Sequence, residues 1–252
     1  MSGRFIPLRL GTVGFHDALE IQLELLDLRR SRRTDDLFIL LEHPHTYTLG
    51  RGGDMSNVLV PPEALKARGI HFEVISRGGD ITYHGPGQIV GYPIVDLKER
   101  GLDVHRFLRM LEQVIILALG GIGIEARRSH GFTGVWVGEE KIASIGIGVR
   151  RWITYHGFAL NVNTDLSYFD LINPCGLRNT QMTSASVVLG TAGEVDVERV
   201  CELLVEAFSD VFGLEPAEPS QAVLEVVGEA ASHAYRSAGA GGERVSGRPN
   251  QQ

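Results

Sequence analysis

Cysteine is the nucleophile that this sequence offers most directly, and the chain has two, Cys175 and Cys201. Cys175 stands in Asn173-Pro174-Cys175-Gly176, where proline restricts the backbone before the thiol and glycine removes side-chain crowding after it. This pattern predicts a sulfur presented in an open polar loop beside a free backbone N–H. Cys201 falls on the apolar stripe of a predicted helix, so we expect a small buried side chain there.

A glycine-rich segment runs from Arg77 to Gln88 with the sequence RGGDITYHGPGQ. Its glycines and its proline predict sharp turns and a backbone that another group can approach closely. Its polar side chains offer donors for a substrate amide, carbonyl or phosphate, and they are Arg77, Thr82, Tyr83, His84 and Gln88. The spacing matches neither a P-loop nor a dinucleotide fingerprint, so nothing here requires ATP or NAD. An ordinary glycine-rich turn is the alternative that composition alone leaves open.

Lys141 follows an acidic turn and heads the apolar stretch IASIG at 142–146. A lysine at the end of a hairpin is ordinarily solvated, and that reading stays open beside a functional one. His43 and His45 resemble a metal-binding pair. No third residue completes a site at metal-ligand spacing, so we expect turn or core roles for both.

The segment HGFALN, from His156 to Asn161, is typical of a strand. Alternation along a strand predicts His156, Phe158 and Leu160 on one face and Asn161 on the other. The pattern alone leaves the imidazole of His156 as a candidate functional group.

The elements that must position these residues follow from hydrophobic periodicity. Amphipathic helices are predicted over about 17–33, 104–118 and, after an Asp196 N-cap, 197–212. Strands are predicted at 37–41, 133–137, 142–149 and 152–162, the last three as hairpin-linked antiparallel strands. A short helix is expected to start near Thr183 or Ser184. Helices combined with a largely meandering sheet predict an α+β, or mixed α/β, fold.

Composition bounds the class of protein. The 252 residues include 43% apolar and 22% charged residues, as in ordinary globular domains. No apolar run approaches the roughly 18 residues that span a bilayer, and the first residues lack the apolar stretch of a signal peptide, so we expect a cytoplasmic protein. A formal net charge of -7 argues against non-specific binding to nucleic acid or to an anionic membrane.

At these residues the sequence resembles the octanoyl-carrier-protein:protein octanoyltransferases, the LipB family. The matching blocks follow the family's order and cover about residues 5–213. They are EHP at 42–44 with TLGR at 48–51, the RGGDITYHGPGQ segment with VGYP at 90–93, GVW at 134–136, KIASIG at 141–146, HGFALN at 156–161, and PCG at 174–176 with TS at 183–184.

The resemblance implies a catalytic domain over 1–215 with the fold of biotin and lipoate protein ligase catalytic domains. It leaves 216–252 as a C-terminal extension, whose composition predicts disorder from about 228. It implies a nucleophile at Cys175 and a lysine partner at Lys141. The residues implied for the acyl pocket are Arg77, Gly78, Gly79, Asp80, Thr82, Tyr83, His84, Gly85, Ala143, Ser144, Ile145, Gly146, His156, Gly157, Phe158 and Ala159.

The implied activity moves an octanoyl, or lipoyl, group from an acyl carrier protein thioester to a lysine of a lipoyl domain. The group would pass through an acyl thioester on Cys175, as the first step of endogenous protein lipoylation. The implied acceptors are the lipoyl domains of 2-oxoacid dehydrogenases and the glycine cleavage H protein. The resemblance implies no ATP, no metal, and no nucleic-acid or membrane partner.

Three rival interpretations remain at the level of sequence. An ATP-dependent lipoate or biotin ligase would activate the free acid and would not need Cys175. A thiol hydrolase would pair Cys175 with a histidine, for which His84 and His156 are available. A non-catalytic carrier-binding module would keep its function without the thiol.

Overall fold

The helices and strands are seen in the parts of the chain that the computed structural model describes, residues 3–101, 103–173, 180–191 and 194–228. The helices are Phe15–Arg30 (α1), Pro62–Ala67 (α2), Val104–Gly120 (α3), Ala185–Leu189 (α4) and Val197–Phe212 (α5). The strands are Gly3–Thr12 (β1), Asp36–Glu42 (β2), Thr46–Leu49 (β3), His71–Val74 (β4), Ile81–His84 (β5), Gln88–Ile94 (β6), Val135–Val137 (β7), Glu140–Arg150 (β8), Ile153–Asn161 (β9) and Leu214–Pro216 (β10). Short 3-10 helices lie at Met55–Asn57 and Leu166–Leu171, and residues 221–228 are helical.

The larger of two sheets has the strand order β10-β1-β2-β6-β9-β8-β7. β1 is parallel to its neighbours β10 and β2, and the remaining pairs are antiparallel. The side chains of β2 alternate between two hydrophobic cores. Phe38 and Leu40 face α3 and α5, whereas Leu37, Ile39 and Leu41 face α1. Strand β2 is therefore covered on both faces, which explains its continuous apolar sequence.

The smaller sheet has the order β4-β3-β5, with β3 parallel to β4 and antiparallel to β5. It has its own core, which includes Tyr47, Leu49, Ile81 and Tyr83. The turn before β5 reaches the larger sheet, because the Gly78 N–H donates to the carbonyl oxygen of Ile147 on β8 at 3.0 Å. The two sheets thus meet at the glycine-rich segment.

The predicted helices and the antiparallel β7–β8–β9 meander are confirmed. The Asp196 N-cap is confirmed, because its carboxylate accepts from the backbone N–H of Arg199. Gly213 ends α5 with a left-handed φ of 64°. Ser184 caps α4 in the same way, by accepting from the N–H of Val187. The glycine-rich segment from Arg77 to Gln88 makes the sharp turns expected, but it also contains a strand. It is two turns separated by β5, because ITYH pairs with β3.

The C-terminal extension begins as part of the folded structure. β10 pairs with β1, and Val223 and Val227 are buried in the core on the α1 face. The disorder predicted from about 228 falls almost wholly on 229–252, outside the described residues. Among the helices that the structure describes, none combines the length and apolarity needed to cross a bilayer.

Candidate active site

An open cleft lies where the glycine-rich segment of the smaller sheet meets β8 and β9 of the larger one. The cross-strand pairs Ser144–Ala159 and Gly146–Gly157 supply four small residues to its wall. A Cβ at Gly146 would lie only 2.7 Å from the Gly78 carbonyl oxygen, so the approach of the two sheets requires glycine there. The cleft holds about 480 Å³ of atom-free space, including the part that opens to solvent.

Most of the residues predicted for the acyl pocket line this cleft. They are Arg77, Gly79, Asp80, Thr82, His84, Ser144, Ile145, Gly146, His156, Gly157, Phe158 and Ala159. Five lining residues were missed from sequence: Phe15, Ile75, Ile81, Val90 and Tyr92. The wall is mainly apolar with a few polar groups, which is the usual character of a site for an apolar ligand.

Four residues of the predicted pocket set, Gly78, Tyr83, Gly85 and Ala143, do not line the cleft. Strand alternation explains two of them. Tyr83 points away from the side of β5 that carries Thr82 and His84, and its ring lies in the core of the smaller sheet. Ala143 precedes Ser144 and faces α3 and α5. Gly78 uses its N–H on the Ile147 carbonyl, and a Cβ on Gly85 would collide with the Tyr83 hydroxyl.

Arg77 is the cation of the cleft wall and is held firmly by β3. One guanidinium nitrogen, Nη2, donates to the Thr48 carbonyl oxygen at 2.6 Å and to Thr48 Oγ1 at 2.9 Å, while Nη1 donates to the Gly78 carbonyl oxygen at 3.1 Å. The side chain of Asp80 also supports the segment, because Oδ1 accepts from the N–H of Ile81 at 2.7 Å. These contacts fix a positive charge beside an apolar wall.

Three buried histidines surround Phe15 at the cleft. The ring centroids of His43, His84 and His156 lie 5.1, 5.9 and 6.4 Å from that of Phe15. Burial lowers the pKa of His43 to about 4 and, helped by the charge of Arg77, that of His156 to about 3. Burial and the neighbouring His43 and Arg77 hold the pKa of His84 well below its usual value. All three imidazoles are therefore neutral near pH 7 and are weak general bases.

The core and turn roles expected for His43 and His45 are confirmed. His43 Nδ1 lies 2.7 Å from the Val13 carbonyl oxygen, so Nδ1 carries the proton, and His43 Nε2 accepts from the Tyr92 hydroxyl at 2.7 Å. His45 Nδ1 lies 2.7 Å from the Tyr83 hydroxyl. Both rings serve hydrogen bonds within the protein.

His156 departs from the alternation that its strand predicts. Its φ of 55° is left-handed, and its ring contacts Phe15 and Tyr92, whereas Phe158 and Leu160 belong to the core under α3 and α5. The expectation that these three side chains share one face was therefore wrong. The backbone N–H of His156 donates to Gln22 Oε1 at 2.7 Å.

The ring nitrogen Nε2 of His156 is buried in the cleft wall and has no hydrogen-bond partner among the described residues. Such a group costs stability unless a bound molecule satisfies it. Gln22 could have signalled this arrangement, since it is a fully buried polar side chain on the mainly apolar stripe of α1.

Lys141 lies on β8, three residues before Ser144, and is only 3% exposed. Its Nζ is 5.1 Å from the centroid of the Trp136 ring, a favourable cation–π distance. Gly134 makes room for the side chain, because a Cβ there would lie 2.7 Å from Lys141 Cε. Burial excludes the reading of Lys141 as a solvated hairpin lysine.

Of the two cysteines, the structure describes Cys201, and the buried position expected for it is confirmed. Cys201 is buried between α5 and the sheet, and burial raises the pKa of its thiol to about 12. It stays protonated and is a core residue. Cys175 belongs to the segment 174–179, which lies outside the described residues.

Known proteins resemble this chain in sequence and in fold. The model of the lipoyl protein ligase A/B catalytic domain matches residues 15–209. An octanoyltransferase of Flavobacterium psychrophilum is 47% identical over 203 residues, 79% of this chain and 87% of the relative. An octanoyltransferase of Thermoanaerobacter sp. is 49% identical over 224 residues, 88% of this chain and 96% of the relative.

Solved structures agree on the fold. Lipoate-protein ligase A bound with ATP superposes with a TM-score of 0.72 at 17% identity, covering 92% of this chain and 95% of that one. Biotin protein ligase of Aquifex aeolicus with biotin and ATP gives a TM-score of 0.50 at 12% identity, covering 83% and 70%. The mixed α/β fold expected from the resemblance is confirmed.

The chain belongs to the lipoyl protein ligase A/B catalytic domain family and, within it, to the octanoyltransferases. It is therefore an acyltransferase.

Proposed function

We propose that this octanoyltransferase takes its acyl group from the thioester of octanoyl acyl carrier protein and holds it on Cys175. It then passes the group to a lysine of a lipoyl domain, such as those of 2-oxoacid dehydrogenases and the glycine cleavage H protein. Lys141 acts as the base for the second step. A nucleophilic thiol needs a reducing compartment, which favours the cytoplasm.

The observation that carries the proposal is the position of Lys141 on the same strand as the small residues of the cleft. An octanoyl chain has about six methylenes, each stabilised by roughly 0.8 kcal/mol on burial, so an apolar cleft of this kind favours it over short acyl groups. Ser144 and Gly146 contribute to the cleft wall, and Lys141 precedes them on β8. The acyl site and the base are thereby built on one rigid element.

Two exchanges complete the reaction. The Cys175 thiolate attacks the thioester carbonyl, the carbon–sulfur bond to the carrier breaks, and the carrier thiolate leaves and takes up a proton. The amine of the acceptor lysine then attacks the acyl-enzyme, Lys141 receives the proton that the amine loses, and the Cys175 thiolate leaves. Both steps pass through an oxyanion, for which the N–H groups of Gly176 and Gly79 are the candidate donors, since the Gly78 N–H is used on Ile147.

We propose that no ATP and no metal ion take part, because an amide forms spontaneously from a thioester. The neutral, weakly basic His84 and His156 argue against a thiol hydrolase that pairs its cysteine with histidine. Lys141 takes the place that such an enzyme gives to histidine.

Intact mass spectrometry tests the covalent step. The full-length protein is incubated with octanoyl carrier protein, without ATP or acceptor, alongside Cys175→Ser and Cys201→Ser. We expect one octanoyl adduct on the wild type and on Cys201→Ser, none on Cys175→Ser, and loss of the adduct when a lipoyl domain is added. No adduct on any of the three, with octanoylation that appears only on adding ATP and free octanoate, would make the chain a ligase.

A further inference from the structure

The neighbour of β8 changes at Lys141. β9 pairs with β8 from Ile153–Arg150 to Leu160–Ala143, and the pairing stops there. Lys141 instead exchanges backbone hydrogen bonds with residues 181–183: its N–H donates to the Gln181 carbonyl oxygen at 2.9 Å, and its carbonyl oxygen accepts from the Thr183 N–H at 3.0 Å. β7 occupies the other side of Lys141. The backbone position of Lys141 therefore depends on a segment that is not a regular strand.

One side chain joins the end of β9 to this segment. Asn161, the last residue of β9, is 1% exposed, and its Nδ2 donates to the Thr183 carbonyl oxygen at 3.0 Å. Its Oδ1 accepts from Gln88 Nε2 at 2.9 Å, and the same nitrogen donates to the Tyr83 carbonyl oxygen at 3.0 Å. Asn161 thus holds the segment on which Lys141 rests.

The series of side-chain hydrogen bonds that starts at Asn161 and Gln88 continues to the cleft wall. Gln88 Oε1 lies 2.9 Å from His84 Nδ1, and His84 Nε2 lies 3.3 Å from Thr48 Oγ1, which accepts from Arg77. Because Gln88 Nε2 already donates twice, Oε1 must accept, so the proton of neutral His84 is on Nδ1. Nε2 then accepts from the Thr48 hydroxyl. Each donor in this series of hydrogen bonds has an acceptor. Only one orientation of the Asn161 and Gln88 amide groups satisfies all of these bonds.

We propose that Asn161 is a positioning residue: its amide fixes residues 181–183 against Lys141 and so sets the place of the base relative to the cleft. This inference rests on the proposed role of Lys141. Asn161 touches no reacting atom, and its contribution is to keep the base from shifting by the fraction of an ångström that transfer chemistry does not tolerate.

The test is Asn161→Asp in the full-length enzyme. In its ionised form the carboxylate still accepts from Gln88, but its second oxygen faces the Thr183 carbonyl with no proton between them, so discharge is compared across a pH series that ionises the acid. We expect normal acylation of Cys175, measured as the fraction of enzyme carrying the octanoyl mass, and a discharge rate constant to a lipoyl domain that falls about 10- to 100-fold. The pH dependence of discharge should also change, which a simple loss of folded enzyme would not produce.

Asn163 provides a matched control two residues further along. Its amide clamps a different segment in the same manner, donating to the Val195 carbonyl oxygen at 2.8 Å and accepting from the Val195 N–H at 3.2 Å. Asn163→Asp makes the same chemical change away from Lys141, so we expect discharge at the wild-type rate. If Asn161→Asp does not fold, Asn161→Ala serves instead, because water can fill the vacated space.

The outcomes separate this inference from the proposed function. Wild-type discharge per acylated molecule in both Asn161 variants overturns the inference alone, and so does an equal loss in Asn163→Asp. A wild-type enzyme that never carries the octanoyl mass overturns the proposed function and this inference with it.

Discussion

At the scale of single residues, the chemistry turns on whether the Lys141 amine can accept a proton. Lys141→Arg keeps a long side chain that can lie over Trp136, but a guanidinium has only donors and stays protonated, so it cannot accept the proton. We expect the octanoyl adduct to form on Cys175 and its discharge to a lipoyl domain to slow by about 10²- to 10⁴-fold. Stopped-flow or quenched-flow mass analysis of pre-acylated enzyme measures that step.

The control is Lys66→Arg, the same exchange at an exposed lysine of α2, which should leave discharge unchanged. Discharge at the wild-type rate in Lys141→Arg would remove Lys141 from the role of base.

A second residue-scale prediction concerns acyl-chain length. Ala159 lies across from Ser144 in the cleft wall, and Ala159→Leu would place three further carbons where we expect the octanoyl chain. Losing room for two or three methylenes corresponds to about 2 kcal/mol, so kcat/KM for the octanoyl donor should fall roughly 30-fold. The butanoyl donor should react as with the wild type.

Competition between octanoyl and butanoyl carrier protein directly measures the ratio of the two kcat/KM values. Ala159→Gly is the control variant, which should keep the preference for the octanoyl donor. An unchanged ratio in Ala159→Leu would place the chain elsewhere.

At the scale of elements, the turn between β8 and β9 is the best candidate for docking the acidic carrier protein. Six arginines are available for a basic rim that such a partner would need: Arg51, Arg77, Arg127, Arg128, Arg150 and Arg151. Arg77 is buried against Thr48, Arg127 pairs with Glu139, and Arg128 pairs with Glu112. Arg150 and Arg151 are exposed on the turn, and within the described ranges they form no ion pair.

Reversing both charges, Arg150→Glu with Arg151→Glu, should raise KM for the carrier about tenfold and flatten its dependence on salt, with little change in kcat. Steady-state kinetics across ionic strengths checks this. Arg106→Glu with Arg199→Glu makes the same change in charge on α3 and α5 and should leave KM unchanged. Equal effects from the two pairs would point to net charge and not to a docking site.

Elements with a strong local signal could be predicted from sequence. α3 and α5 have apolar stripes and capping residues, and the β7–β9 meander has short apolar strands joined by turns. Each of these signals lies within one continuous stretch of sequence. β3 and β4 could not be predicted in this way, because TYTL and HFEV are only four residues each. They become strands by pairing with each other, and β3 also pairs with β5. Short strands that depend on distant partners are invisible to periodicity.

The residues of the candidate site likewise fall into those that could be predicted from sequence and those that could not. Resemblance supplied twelve cleft residues, since they fall within contiguous motifs. Phe15 and Tyr92 come from other elements, and only the fold brings them to His156. The face of His156 itself could not be predicted, because the alternation of apolar residues along a strand does not show where one residue adopts a left-handed φ.

At the scale of the whole molecule, the buried histidines should make the fold sensitive to acid. The pKa of His43, His84 and His156 lies below the unfolded value of about 6.5, so the unfolded chain binds protons that the native state does not. Stability is then independent of these groups above about pH 6.5. It falls as pH decreases toward 4, by about 1.4 kcal/mol per pH unit for each histidine once the unfolded imidazole is protonated.

Urea unfolding between pH 7.5 and 5 measures how the free energy of unfolding changes with pH. This pH range lies above the usual pKa of Asp and Glu side chains, so the histidines dominate the change. We expect uptake of about three protons on unfolding near pH 5. A slope below one proton would mean that these rings are accessible to solvent in the native state.

The anchors on either side of residues 174–179 have a consequence for protein engineering. Ile172 bridges to Val58 on one side and Met182 bridges to Lys141 on the other. Both ends of the span that carries Cys175 are thus tied to fixed points of the scaffold, one of them the strand position of the base. A graft that exchanges this span for that of another acyltransferase must keep a cysteine at the position of Cys175 and should leave the two bridged positions, Ile172 and Met182, unchanged. Junctions placed between Ile172 and Met182 keep both bridges, and with the second a backbone partner of Lys141, so junction position should be the most restrictive variable in a loop-exchange library.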